Sequence, residues 1–167
     1  YQQCRFSYTP DSRVIEIADT LRYKRIPCDA IWMDIDYMDG YRIFTFNPQG
    51  FPDPKAVNRD LHLRGFHSVW MIDPGAKAET GYSVYDSGTA NDVWVKTADG
   101  KEYNGDAWPG KVAWPDFTDP KVCQWWGGLY KDFMAQGVDG VWNDVNEPQV
   151  SNTPTGTMPE DNLHRGG

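Results

Sequence analysis

Gly140-Val141-Trp142-Asn143-Asp144-Val145-Asn146-Glu147-Pro148 places a short apolar run directly before two carboxylates and two asparagines. The pattern predicts a buried strand whose last residues emerge into a polar site. Side chains alternate along a strand, so Trp142, Asp144 and Asn146 share one face. A carboxylate at the end of an apolar strand is costly to bury unless it is paired or used in chemistry. A single acid at this position is also typical of an acidic surface loop. The choice between a functional site and a surface loop therefore depends on the rest of the chain.

Apolar segments alternate with amphipathic ones along the chain before this stretch. The predicted strands are 1–8, 28–33 and 66–72, and the predicted helices begin at Thr9-Pro10, Asp53-Pro54 and Thr118-Asp119-Pro120. A capping residue followed by proline in the first turn is typical of a helix start. Strands that alternate with helices in this way predict parallel strands joined by crossover helices.

Two segments fall outside this alternation. The excursion 75–118 precedes the third helix, and Asp99-Gly100 between two short apolar runs predicts a surface hairpin within it. The polar stretch Ser151–Gly167 predicts a loop or disorder. In the third helix, one face is expected to be buried, comprising Val122, Trp125, Trp126, Leu129 and Phe133.

Acids follow three of the four predicted strands, namely Asp34 with Asp36, Asp73, and Asp144 with Glu147. In parallel α/β sheets, chemistry is found at the carboxyl ends of the strands, so these acids predict a site. An oxygen-ligand metal site built from Asp34, Asp36 and Asp73 is an alternative. Carboxylates close to aromatic side chains are what glycosidases use.

The sequence motifs that indicate other kinds of functional site are absent from this sequence. No Gly-rich phosphate loop and no nucleophile elbow follow a strand. The histidines His62, His67 and His164 lie apart from the acids, so no zinc site is predicted and no cofactor is expected.

The amino-acid composition further limits the kinds of binding partner that are expected. A net charge of −8 argues against nucleic acid and anionic membrane surfaces as partners. The 8 tryptophans are a surplus that suits a flat apolar ligand face such as a sugar ring. Cys4, Cys28 and Cys123 have no metal-ligand spacing and favour a reducing compartment such as the cytoplasm.

Several motifs in a fixed order make the chain resemble glycoside hydrolase family 31, the α-glucosidase and α-xylosidase family. The motifs are Gln3-Cys4-Arg5-Phe6-Ser7-Tyr8, Trp32-Met33-Asp34-Ile35-Asp36-Tyr37-Met38, Phe44-Thr45-Phe46, Phe51-Pro52, Met71-Ile72-Asp73-Pro74, Trp108-Pro109-Gly110, Pro115-Asp116-Phe117 and Trp142-Asn143-Asp144-Val145-Asn146-Glu147-Pro148. The resemblance implies a (β/α)₈ TIM barrel, of which residues 1–150 would form the first half, about four βα units ending after the nucleophile strand. Residues 151–167 would then be a polar, truncated tail.

The resemblance also implies roles for individual residues. Asp144 matches the catalytic nucleophile of a retaining mechanism, and Asp34 matches the carboxylate that grips hydroxyls of the terminal, non-reducing sugar. Wall positions of the sugar pocket match Phe6, Met71, Trp108 and Trp142, and Asp73 matches an acid near the pocket floor. These roles predict an exo-acting α-glucosidase that hydrolyses terminal α-linked glucose in oligosaccharides or glucans through a covalent glycosyl-Asp intermediate.

Departures from the family pattern leave alternatives open. Val145 stands where the family most often has Met, and Phe6 replaces the commoner Trp, so α-xylosidase, transglycosylase or lyase activity remains an alternative. The family's general acid/base is expected downstream, because the resemblance gives that role to neither Asp36 nor Glu147. We therefore expect that 1–167 is part of a longer protein, inactive alone, that needs the remainder of the barrel and can form a homo-oligomer.

Overall fold

A computed structural model describes residues 1–166 of the chain. Its strands are β1 (Gln2–Gln3), β2 (Ala30–Met33), β3 (His67–Ile72), β4 (Ala76–Lys77), β5 (Asn104–Ala107), β6 (Gly110–Ala113) and β7 (Gly140–Asn143). Its α-helices are α1 (Asp11–Tyr23), α2 (Pro54–Leu63), α3 (Ser83–Ala90) and α4 (Pro120–Met134), and Ile35–Tyr37 forms a 3₁₀ turn. None of these helices is long and apolar enough to cross a membrane.

The strands form two sheets. The first has the order β1-β2-β3-β7, with β1, β2 and β3 paired in parallel. The second is antiparallel with the order β4-β6-β5. The predicted α/β alternation with parallel strands is confirmed, and it is the arrangement expected of a partial TIM barrel.

The chain divides into two compact units, each built from two stretches. Unit 1 contains Tyr1–Ile72 and Lys131–Trp142. Unit 2 contains Asp73–Tyr130 and the residues from Asn143 onward. Each unit has its own sheet and its own buried side chains.

The helices of unit 1 form where the sequence predicts them, with one correction at the first. The helix α1 begins at Asp11, and Thr9 makes no cap, because Pro10 occupies the cap position without a side-chain hydrogen bond. Its buried face contains Val14, Ala18 and Leu21. At the start of α2, Asp53 accepts a hydrogen bond from the Ala56 amide at 2.9 Å, as a capping aspartate does.

Aromatic rings fill the core of unit 1. Tyr37 and Trp70 pack edge to face with centroids 4.8 Å apart, and Phe46 stacks on Phe133 at 5.5 Å. The indole N–H of Trp70 donates to Oδ1 of Asn58 at 3.0 Å. Asn58 is fully buried and donates in turn to the Gln136 carbonyl at 2.8 Å, so each of these three groups has a partner.

The structure modifies some of the remaining predictions from the sequence and confirms others. The strand predicted over 1–8 is only β1. The hairpin predicted at Asp99-Gly100 is confirmed, because the Thr97 amide donates to the Lys101 carbonyl at 2.8 Å and the Tyr103 amide donates to the Val95 carbonyl at 2.9 Å on either side of the Lys96↔Glu102 bridge. Residues 151–166 form a loop without helix or strand, although the Lys96↔Leu163 bridge fixes part of it. In α4, Val122 and Phe133 are buried as predicted, whereas Trp125, Trp126 and Leu129 are only partly buried.

Unit 2 packs around the antiparallel sheet. Its core cluster comprises Val95, Tyr103, Val112, Trp114 and Val150. Val150 comes from the loop that follows β7, so this late segment completes the core of a sheet formed much earlier in the chain.

A buried carboxylate anchors the end of the loop in unit 2. Asp116 is 1% exposed, and its two oxygens accept from the Thr118 hydroxyl at 2.6 Å and the Arg165 amide at 2.7 Å, with His164 at 3.3 Å. Burial alone would raise the pKa of the Asp116 carboxyl. The hydrogen bonds from Thr118, Arg165 and His164 outweigh burial, so the pKa lies below its usual value.

Candidate active site

The first predicted acid is held by the turn that it begins. Asp34 follows β2 directly, and its carboxylate accepts a hydrogen bond from the Ile35 amide at 2.6 Å. This contact caps the 3₁₀ turn Ile35–Tyr37. The turn is fixed to the neighbouring strand, because the Tyr37 hydroxyl donates to the Met71 carbonyl at 2.5 Å. Asp34 is partly exposed and thus accessible to a polar ligand.

The predicted wall residues of unit 1 differ in exposure. Phe6 is 67% exposed, whereas Met71 is 2% exposed and lies in the core. Trp142 is partly buried and packs edge to face against Trp32, with centroids 5.8 Å apart. Trp32 is oriented by its indole N–H, which donates to the Gln2 side chain at 2.9 Å. Phe6 and Trp142 therefore present aromatic surface in unit 1, whereas Met71 is buried in its core.

Asp36, the second acid after β2, changes the pKa of the neighbouring Tyr41 hydroxyl. The Asp36 carboxylate raises the pKa of the Tyr41 hydroxyl through charge repulsion, with smaller contributions from burial and their hydrogen bond. The shift favours the protonated phenol, which donates hydrogen bonds.

In unit 2, the predicted nucleophile sits in a strained turn. Asp144 follows β7 directly and is partly exposed. The next residue, Val145, has φ of 51°, in the left-handed region that β-branched residues rarely occupy. The Gln149 amide donates to the Val145 carbonyl at 3.1 Å, which closes the turn behind Asp144. Strain of this kind is found preferentially at functional sites.

Trp108 lies at the tip of the β5–β6 hairpin, where it is 57% exposed. A cavity of about 250 Å³ separates this tip from the turn after Asp144. Ala107, Trp108, Val145, Gln149 and Ser151 line it. An indole face with an amide and a hydroxyl is a suitable lining for a sugar, which has apolar faces and polar edges.

Asp73, the third predicted acid, is more deeply buried than Asp34 and Asp144. Asp73 follows β3 and is 7% exposed. It lines a small cavity with Val145 and Gln149, together with Pro74, Gly75, Ala107, Pro109, Val112 and Trp114. Asp73 thus shares a cavity with residues of the hairpin, and its role at a pocket floor stays a prediction.

Each predicted residue belongs to one of the two units. Unit 1 contains Phe6, Asp34, Met71 and Trp142, and unit 2 contains Asp73, Trp108 and Asp144. Within unit 2, the structure brings Trp108 and Asp73 close to Val145, the residue after Asp144. Among residues 1–166, no group of three or more His, Cys, Asp or Glu side chains is placed to hold a metal ion.

Sequence reasoning missed the residues that support this cavity. Gln149 and Ser151 carry no recognisable signal, because they lie in a polar loop. Gly105 lies in β5, whose strand propensity is too weak to predict, so its meaning as an isolated strand glycine is visible only in the structure.

Parallel strands followed by carboxylates are typical of a glycosidase-type α/β barrel domain, and the tryptophan-lined cavity of unit 2 fits this class. The chain belongs to glycosyl hydrolase family 31, since the profile of the "Glycosyl hydrolases family 31 TIM-barrel domain" matches residues 1–167.

Curated relatives agree with this family. The chain is 44% identical to alpha-glucosidase 2 of Bacillus thermoamyloliquefaciens, over 98% of this chain and 21% of that protein. It is 38% identical to human neutral alpha-glucosidase AB, over 100% of this chain and 18% of that protein. The chain thus spans about a fifth of the length of these relatives.

Solved structures give the same result. A family 31 alpha-glucosidase from Bacteroides thetaiotaomicron is 80% identical with a TM-score of 0.85, covering 96% of this chain and 27% of that one. A glucosidase II alpha subunit is 39% identical with a TM-score of 0.95, covering 99% of this chain and 18% of that one. The predicted family and fold class are confirmed.

Proposed function

We propose that the protein containing this chain is a retaining, exo-acting α-glucosidase, and that Asp144 is its nucleophile. The observation that carries the proposal is the position of Asp144, at the end of a sheet strand and one residue from a cavity lined by Trp108. Relatives named alpha-glucosidase, at 44% and 80% identity, support the choice of activity.

In the proposed reaction, a carboxylate oxygen of Asp144 attacks the anomeric carbon of the terminal sugar. The bond from that carbon to the leaving oxygen breaks, and the leaving oxygen takes a proton from a second carboxyl group of the complete protein. Water then attacks the glycosyl-Asp ester, gives its proton to the second group and releases the sugar with retained configuration. The family resemblance assigns this second role to neither Asp36 nor Glu147.

Binding of the sugar is assigned to the other predicted residues. We propose that Asp34 accepts hydrogen bonds from sugar hydroxyls, because a charged acceptor gives stronger contacts than a neutral one. Phe6, Trp108 and Trp142 supply apolar walls, and Asp73 contributes negative charge at the floor. Met71, predicted as a further wall residue, is 2% exposed and is assigned to the core instead. The proposed substrates are α-linked gluco-oligosaccharides or glucans.

The test uses the complete gene product that contains residues 1–167 and an aryl α-glucoside. The substitution Asp144→Ala should lower kcat by about 10³-fold or more, because it removes the group that forms the covalent bond. Glu160→Gln, which changes an exposed acid of unit 2, is the matched control and should retain activity. Activity of Asp144→Ala within about tenfold of wild type would reject the assignment.

Trapping identifies the nucleophile directly. A fluorinated α-glucosyl donor should leave a glycosyl mass on the peptide that contains Asp144. A label on any other carboxylate would contradict the proposal. Rates with aryl α-xyloside and α-glucoside, and the products formed, distinguish α-glucosidase from the xylosidase, transglycosylase and lyase alternatives.

A further inference from the structure

A buried glycine of the hairpin contacts the loop that carries the proposed nucleophile. Gly105 lies in β5, and a Cβ atom added there would be 2.6 Å from Cγ1 of Val150 and 3.0 Å from the ring of Trp114. Separations under 3.0 Å are not tolerated, so only glycine lets Val150 pack at this depth. Val150 is completely buried as a result.

Hydrogen bonds extend this contact along the hairpin. The Ser151 amide donates to the Asp106 carbonyl at 2.7 Å, and the Asp106 amide donates to the Asn152 side chain at 3.1 Å. The Asp106 carboxylate pairs with Lys111 on β6 at 2.8 Å. The loop after Asp144 is therefore held against β5 at Asp106 by one backbone and one side-chain hydrogen bond.

The same contact fixes the width of the cavity at the hairpin tip. Trp108 follows β5 on one side, and Val145 and Ser151 belong to the loop on the other. Because Val150 lies between Val145 and Ser151, its depth against Gly105 determines how closely the loop approaches Trp108.

We propose that Gly105 is a positioning residue, which sets the distance between Trp108 and the Asp144 loop by letting Val150 pack against β5. The proposal rests on the proposed function only for its kinetic consequence. Gly105 itself touches no substrate. A side chain at this position would push the loop away from the hairpin and widen the sugar pocket.

The experiment compares variants of the complete gene product. Gly105→Ala should raise KM for an aryl α-glucoside about tenfold and change kcat by less than about threefold, because a displaced wall weakens ground-state and transition-state binding alike. The matched control is Gly128→Ala on α4, where an added Cβ meets nothing within 4 Å, and its KM should equal that of wild type.

Rescue separates positioning from a general loss of structure. In Gly105→Ala/Val150→Ala, the clashing methyl group is gone, so KM should return to within about threefold of that of Val150→Ala alone. Hydrogen exchange at the Ser151 amide should be faster in Gly105→Ala and slow again in the double variant.

Each possible result of these measurements either supports or overturns the proposed role of Gly105. A KM for Gly105→Ala equal to that of Gly128→Ala, or no rescue in the double variant, overturns the proposal. If Gly105→Ala does not fold, the double variant decides, because it must fold and match Val150→Ala alone in KM and in exchange at Ser151. Wild type without α-glucosidase activity would refute the proposed function, whereas the exchange data would still judge the role of Gly105.

Discussion

At the scale of single residues, Val145 combines a strained backbone with a position next to the proposed nucleophile. Its φ of 51° costs a β-branched residue about 1–2 kcal/mol relative to an ordinary conformation. Glycine adopts this conformation without such a cost.

Substitution at Val145 should therefore reverse the usual order of glycine and alanine. At ordinary positions glycine is less stable than alanine, but here Val145→Gly should have a free energy of unfolding about 1 kcal/mol higher than that of Val145→Ala. Urea denaturation of the two variants checks this. The opposite order would mean that the left-handed turn is absent in solution.

Asp116 predicts a dependence of stability on pH. Its folded pKa lies below the unfolded value of about 3.9, so its contribution is complete above that pH and is lost as pH falls through the folded pKa. The stability difference between wild type and Asp116→Asn should shrink below about pH 4. Denaturant curves between neutral and acid pH measure it, with the exposed Asp161→Asn as control. A difference that stays constant below pH 4 would contradict the prediction.

At the scale of elements, the buried Asn58 joins α2 to β3 and to the end of α4. Asn58→Ala should lower the free energy of unfolding by about 3 kcal/mol, because it leaves the Trp70 indole and the Gln136 carbonyl without their partners. Thermal unfolding measures the loss. As control, Asn91→Ala at the exposed end of α3 should cost less than about 1 kcal/mol. Equal effects at the two sites would show that burial of these hydrogen bonds is not important.

Local signals explain why some elements could be predicted from sequence. Helix α2 has a capping Asp53 and a left-handed Gly65, and the strands β2, β3 and β7 are continuous apolar runs. Each of these features acts within a few residues, so it is visible without the fold. The predicted positions of Asp34 and Asp144 at strand ends followed from those strands.

Other elements depend on distant contacts and were missed. β5 and β6, with the sequences Asn104-Gly105-Asp106-Ala107 and Gly110-Lys111-Val112-Ala113, have weak strand propensity. They are stabilised by Trp114 and by Val150, which lies far along the chain. Helix α3 contains Gly88, which is required because an added Cβ would lie 2.2 Å from Trp94. These elements form because of long-range packing contacts, which cannot be recognised in a single sequence.

At the scale of the whole molecule, the parallel sheet of unit 1 has β1 and β7 at its edges in the part of the chain that the structure describes. Unpaired strand edges are sites for association with other chains. A polypeptide of residues 1–167 alone should therefore self-associate, and light scattering after size-exclusion chromatography measures its mass. A monodisperse monomer at micromolar concentration would refute this, and the complete gene product is the comparison.

The two interleaved units also give the polypeptide an order of completion during synthesis. Within the part of the chain that the structure describes, Trp142 is the last residue of unit 1, and the core of unit 2 still lacks Val150 when Trp142 has left the ribosome. Because domains fold as their residues emerge, the antiparallel sheet waits with an open apolar side until the loop after Asp144 arrives. The event that closes this core is then the same one that brings the proposed nucleophile loop to the hairpin. A nascent chain would therefore bring the proposed nucleophile Asp144 to the hairpin only when Val150 has packed into this core.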